Sequence, residues 1–358
     1  MNASVHTKFS LTVDSKFVVI DIHKELVMRV MAYNIEWFDD HFEPDNSLKN
    51  TQDSQKKFNG VSSVISSIDP DIIGITEAPN TTTTTGQRST VTALENFASQ
   101  HGLRQNKAMI GFPSPGRQEI AVLYDPNIVS AAHDPGGSTG TVKNPRFDEP
   151  FQADSDGDKI YEHYKHYRPP LEAKITRADG GDDFWLMVVH TKSKGIFSAM
   201  DRLNFNRVSE RNRRKLFAEC QSIRKRVEEW LSTQRKIIVM GDINDGPGFD
   251  YYESRFGKSA VELIIGDIFN RQTILQYHLG RPVFGEYGWE PSSARFKDNY
   301  TGDYVNALID HIMVSADLVS NVDSPTKVWN PYQLDEAKPL KSALLDASDH
   351  FPITFNFQ

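Results

Sequence analysis

Six short segments of the chain end in residues that hold cations, move protons or bind phosphate. In Tyr33-Asn34-Ile35-Glu36-Trp37, strand alternation puts Asn34 and Glu36 on one face and Tyr33, Ile35 and Trp37 on the other. One face can pack while the other offers an amide and a carboxylate to a hard cation. Taken alone, a strand running into a polar turn has the same pattern. Asp71-Ile72-Ile73-Gly74-Ile75-Thr76-Glu77 is an apolar run closed by a carboxylate, which sets an acidic ligand at a sheet edge. A solvated Glu at a strand end is the plainer reading of that motif by itself.

The remaining four segments add acid–base chemistry. Residues 184–189 run into His190-Thr191-Lys192-Ser193-Lys194-Gly195, where a strand-end histidine can donate to a phosphate oxygen or, when cationic, protonate a leaving oxygen. A capping histidine beside a basic loop is the alternative. Ile237-Ile238-Val239-Met240-Gly241-Asp242-Ile243-Asn244-Asp245 is more specific. Its apolar run buries the strand, Gly241 permits close backbone approach, and Asp242 and Asn244 share a face. An acid beside an amide donor can hold a water and the phosphate oxygen it attacks; an Asx-turn explains Asn244 alone but not the pair. Asp310-His311 and Asp349-His350 each set a carboxylate beside an imidazole, and a carboxylate can hold an imidazole in one tautomer and orientation. His311 points away from a site into which Asp310 points, or the reverse.

These residues need strands to carry them. Apolar runs at 27–35, 72–76, 120–124, 184–189, 237–240 and 308–314 read as buried strands bounded by Asp, Gly, Pro or Asn. Phe58, Val61, Val64, Ile65 and Ile68 form one helical stripe, and Leu216, Phe217, Cys220, Ile223, Val227 and Trp230 another. Helices separate some strands and only loops separate others, so packed sheets with helices outside are expected rather than a purely doubly wound sheet. Residues 81–85 and the Gly-, Pro- and Asp-rich stretch 133–150 read as loops. No internal repeat is evident.

The chain has 358 residues, 38% hydrophobic and 25% charged, as in soluble globular proteins. Its lone cysteine, Cys220, excludes an internal disulfide. No apolar run of membrane-spanning length and no secretory signal is read, so the expectation is a cytoplasmic protein with no membrane segment; no protein partner is evident. Met28 and Met31 are alternative starts, making 1–27 a dispensable extension. The formal charge of -8 opposes a polyanionic partner. Yet residues 192–226 carry eleven basic residues against three acidic ones, either a track for a phosphate backbone or a solvated helix face. Asp154-Ser155-Asp156-Gly157-Asp158 has calcium-loop spacing, but an EF-hand register puts His163 where the bidentate glutamate belongs, so a plain acidic loop is expected.

Taken in order, these motifs resemble the endonuclease/exonuclease/phosphatase (DNase I-like) superfamily from about residue 28 to the C-terminus, most specifically in Gly-Asp-x-Asn at 241–244 and Ser-Asp-His at 348–350. Arg168-Pro169-Pro170-Leu171 and His190-x-Lys-Ser-Lys look like its branch of large bacterial nucleases. The resemblance implies a four-layer α/β sandwich, two mixed sheets face to face with helices outside, in one catalytic domain over 28–358. It implies metal-assisted phosphoester hydrolysis with Mg2+ or Mn2+. Asn34, Glu36, Glu77 and Asp349 match its metal positions, and Asp242 and Asn244 the residues that activate water and orient phosphate. His350 matches the main catalytic histidine, Asp310 its orienting carboxylate, His190 the second histidine and Arg168 a phosphate-binding arginine. A glutamate orients the second histidine in some members, and Gln118 and Glu119 both lie near that place. The leading expectation is a nuclease acting on DNA or RNA; the alternatives are a phosphatase or phosphodiesterase for a small molecule or lipid headgroup, and an inactive binding module of the same fold.

Overall fold

The computed structural model describes residues 27–81, 88–141, 143–196, 202–247, 253–255, 257–277, 279, 291–297, 302–318 and 326–358, with two short paired strands at Thr12–Val13 and Lys16–Phe17. The rest of the 1–27 extension and most of the 81–85 loop lie outside them.

The long apolar runs become strands buried on both faces, and this double burial dictates the layering. One six-stranded sheet has the order Thr326–Val328, Ile353–Phe357, Met28–Asn34, Ile72–Ala78, Glu119–Tyr124, Lys107–Ile110. The other has the order Gln276–Tyr277, Asp310–Val314, Ile237–Asp242, Phe184–His190, Leu171–Arg177, Val129–His133. Each is mixed, with one parallel pair apiece: Met28–Asn34 beside Ile72–Ala78, and Phe184–His190 beside Ile237–Asp242. Val30, Ala32, Ile72 and Val122 of the first sheet and Leu186, Val188, Met240 and Ile312 of the second share one core. A Cβ on Gly74 would stand 2.6 Å from Met240 Cε, so the sheets press together at that glycine. Helices Gln52–Ile68, Thr90–Gln100 and Lys341–Ala347 cover the outer face of the first sheet. Arg202–Ser232 and Ala260–Ile265 cover that of the second. The result is the four-layer sandwich with two mixed sheets.

Three features of this frame bear on the site. The pairing His190↔Asp242↔Asp310 aligns three polar strand ends at one rim of the second sheet. The Ile72–Ala78 strand runs past the expected 72–76 through an irregularity between Ile75 and Ala78, where Glu77 adopts a φ of 60°. The strand expected at 308–314 begins only at Asp310, because the Ile309 N–H donates to Ser293 Oγ while its carbonyl accepts from Ile243 N–H. The Leu171–Arg177 strand alternates apolar Leu171, Ala173 and Ile175 with polar residues, a pattern short enough to pass unread in the sequence.

Candidate active site

His350 lies just before the last strand, and its Nδ1 donates to Asp310 Oδ2 at 2.7 Å. Ser293 Oγ donates to that oxygen at 2.8 Å and accepts the Asp310 N–H at 2.9 Å, so the carboxylate is fixed from two sides. Asp242, on the neighbouring strand, accepts the Asn244 N–H on Oδ1 at 2.7 Å. Its Oδ2 accepts Asn34 Nδ2 at 3.1 Å, a bond that joins the two sheets, and lies 3.4 Å from His190 Nε2. Asp242 reaches this place because Gly241, at a φ of 131°, passes so close to the next strand that a Cβ there would stand 2.1 Å from Val189 O. Asn34, His190, Asp242, Asp310 and His350 are all buried together.

Beside this group stands a set of carboxylates. Glu36 has its carboxyl raised by burial first, then by the charges of Asp349 and Glu77, against the pull of Lys57 and His350. Glu77 is fixed by the Trp37 N–H, which donates to Oε2 at 2.8 Å. Ser348 Oγ connects the set to the histidine: it donates to Asn34 O at 2.8 Å and accepts the N–H groups of Glu36 and His350, each at 3.1 Å. Among the described residues, Asn34 Oδ1 and Asp349 Oδ1 are buried without a hydrogen-bond partner. Mutually repelling carboxylates with orphaned hard oxygens are the donor set that a divalent cation relieves. Asn34, Glu36, Glu77 and Asp349 therefore fit such an ion. Ligand atoms of Asp242, Asp310 and His350 also lie within 4.8 Å of one another. There, however, His350 Nδ1 is engaged by Asp310 and Asp242 Oδ2 by Asn34, which leaves fewer free lone pairs than the carboxylate set offers.

The protonation states follow from the surroundings. Burial raises Asp242, Asp310 adds to the effect, and the carboxyl is pushed up to about 7. Burial opposes a charge on His350, but Asp310, by charge and hydrogen bond, together with Asp242 and Asp349, outweighs it and carries the imidazole up to about 10. His190 is held well below its usual value by burial, then by Arg168 and His350. It is neutral, and a neutral ring donates from one nitrogen only. Nε2 facing Asp242 is that nitrogen, and among the described residues Nδ1 is buried without a hydrogen-bond partner.

Other expected residues sit differently. Arg168 is at the site, but Nε donates to His190 O at 3.2 Å, Nη1 to Gln118 Oε1 at 2.6 Å and Nη2 to Thr191 O at 2.9 Å. It props the His190 loop and lends positive potential, with only its spare N–H groups left for phosphate. Gln118 thus serves the arginine, and Glu119 accepts the Ser114 N–H at 2.9 Å; neither reaches the His190 ring. Asn244 Nδ2 donates to Thr191 O at 3.1 Å. His311 points away, bonding Asp245 O at 2.7 Å and Tyr277 Oη at 2.8 Å, and burial lowers it to about 4. Sequence reasoning overlooked Ser293, for which a serine pair in a loop gives no signal. It overlooked Lys57 too, although a lysine four residues before Val61 on an apolar helical stripe is a readable anomaly.

Several cations of the basic segment 192–226 are turned to internal use. Arg226 pairs with buried Glu172, and Arg224 donates to the carbonyls of Ile264, Ile265 and Thr273. Arg214 meets Asp156, Glu162 and Glu210, and Lys194 meets Asp245 and Glu253. In the acidic loop, Asp154 accepts the Gly157 and Lys159 N–H groups, which makes it a self-capped turn. Among the described residues, no helix is long and apolar enough to cross a membrane.

Comparison with known proteins agrees with this frame. No curated protein matches the sequence. Among solved structures the chain is similar to truncated Caenorhabditis elegans TDP2, at a TM-score of 0.50 and 14% identity over 93% of this chain and 98% of that one. It is similar to an endonuclease/exonuclease/phosphatase family protein of Bacteroides thetaiotaomicron, at 0.47 and 13% over 92% and 97%. The human Nocturnin catalytic domain with bound sulfate anion gives 0.45 and 14% over 93% and 94%. At 14% identity the likeness to the TDP2 structure concerns the fold alone. The endonuclease/exonuclease/phosphatase family model matches residues 31–350, nearly the whole chain. The chain therefore belongs to the endonuclease/exonuclease/phosphatase family and is a metal-dependent hydrolase of phosphoester bonds.

Proposed function

We propose that the protein is a nuclease, hydrolysing phosphodiester bonds of DNA or RNA with Mg2+ or Mn2+ held by Asn34, Glu36, Glu77 and Asp349, and that residues 28–358 act as one catalytic domain. A cation held by these residues would neutralise charge on a phosphate oxygen and on the leaving oxygen. Asp242, titrating near neutrality, takes the proton of the attacking water. His350, cationic and anchored by Asp310, offers Nε2–H to the phosphoryl group, where negative charge builds in the transition state. His190 and Asn244 line the opposite side, and the cationic Arg168 behind them adds attraction for phosphate.

The observation that carries the choice of nucleic acid is a stack beside the site. Arg295, whose N–H donates to Asp349 O at 2.8 Å, places its guanidinium 3.6 Å from the Tyr304 ring centroid and 4.7 Å from that of Tyr332. Lys341 Nζ lies 4.5 Å from the Tyr332 ring centre. Tyr304 is 55% exposed and Tyr332 44%. Exposed rings interleaved with cations suit bases and backbone together, and a small phosphoester has less use for them. The test is incubation with plasmid, single-stranded DNA, RNA and a bis-aryl phosphodiester, with Mg2+ or Mn2+ and with chelator. Metal-dependent cleavage of a polymer is expected. Turnover of small esters with no polymer cut would overturn the nuclease reading in favour of a small-molecule or lipid-headgroup esterase.

A further inference from the structure

Lys57 is the cation the mechanism leaves unused. It lies on the helix Gln52–Ile68 with its side chain only 9% exposed, on the same face as Val61, Val64 and Ile68. Among the described residues its ammonium has no hydrogen-bond acceptor; its contact is Glu36 Oε2 at 3.9 Å, an ion-pair distance. An ammonium on so deeply packed a side chain is favoured where surrounding negative charge compensates for lost solvation. That charge is Glu36, Glu77 and Asp349. The placement is built in. A Cβ on Gly60 would stand 2.8 Å from Ala343 O, so the helix lies directly against Lys341–Ala347, and Lys56 pairs with Asp346 at 2.9 Å. The covering helix then leads straight into Ser348-Asp349-His350, and Lys57 reaches Glu36 from the helix packed against it.

We infer that Lys57 is a fixed counter-charge of the Glu36–Glu77–Asp349 cluster, filling with its ammonium the place of a second divalent ion and holding the chain to one. The inference rests on the metal-site assignment above. Three carboxylates and one divalent ion leave a net negative charge that invites another cation; with Lys57 the cluster and a single ion are neutral. A plain ion pair that merely pins the helix would affect folding but not the number of ions bound.

The test is calorimetric titration of Mn2+ into metal-free protein, comparing wild type with Lys57→Met, Lys57→Gln, Lys57→Arg and Glu77→Gln, each checked for native melting. Wild type and Lys57→Arg should bind one ion. Lys57→Met and Lys57→Gln should bind the first ion at least ten-fold more tightly and show a second. Unchanged stoichiometry and affinity in both neutral variants would overturn the role of Lys57 while leaving the metal site standing. Wild type that binds no ion, or Glu77→Gln that binds like wild type, would instead overturn the metal-site assignment, and the inference with it.

Discussion

Asp310 Oδ2 accepts a 2.7 Å hydrogen bond from His350 Nδ1, and the two residues come from neighbouring ends of different sheets. The bond leaves Nε2 as the ring nitrogen not engaged by Asp310 and favours the protonated ring. Asp310→Asn retains the shape but removes the charge. It should lower kcat on a bis-aryl phosphodiester by about 10²-fold or more, with KM little changed. A kcat within a few-fold of wild type, measured under saturating metal, would show that His350 does not depend on this partner.

Gly241 is the second point of leverage, because its positive φ and its contact with Val189 O leave no room for a side chain. Gly241→Ala should destabilise the fold by roughly 2–4 kcal/mol and lower activity at temperatures where the variant is still folded. Chemical denaturation with parallel rate measurements checks both effects.

Acid stability should depend on His166, a buried ring stacked 4.8 Å from Phe151 and bonded to Ser222 at 3.1 Å. Burial, then Lys215 and Arg226, hold it down at about 3. The unfolded chain takes up that proton near the ordinary value of about 6.5, whereas the folded chain refuses it until about 3. Stability is therefore full above about 6.5 and falls by roughly 1.4 kcal/mol per pH unit through that window. His166→Phe should shift the acid unfolding midpoint to lower pH while costing about 1 kcal/mol near neutrality through the lost hydrogen bond. Denaturant melts at several pH values measure the slope.

The sandwich was legible because its central strands, such as 237–240 and 184–189, are apolar on both faces and end in unusual polar residues. Gly-Asp-x-Asn and Ser-Asp-His identify themselves by type and spacing. Partnerships that depend on two distant loops meeting are not visible that way. Ser293 on Asp310, Ser348 joining Asn34 to His350, and Gln118 on Arg168 are set by tertiary packing alone. The basic segment is ambiguous for a related reason: charge density along a chain does not distinguish an arginine facing solvent from Arg226 buried against Glu172. The nucleic-acid proposal draws instead on Arg295, Tyr304 and Tyr332, which a linear charge count does not single out.

The central claim is that these buried groups perform metal-assisted phosphoester hydrolysis, and His350→Ala tests it most directly. With Mg2+ or Mn2+ present, the variant should hydrolyse a bis-aryl phosphodiester at least about 10²-fold more slowly than wild type, with native melting and metal binding retained. Hydrolysis near the wild-type rate would contradict the account.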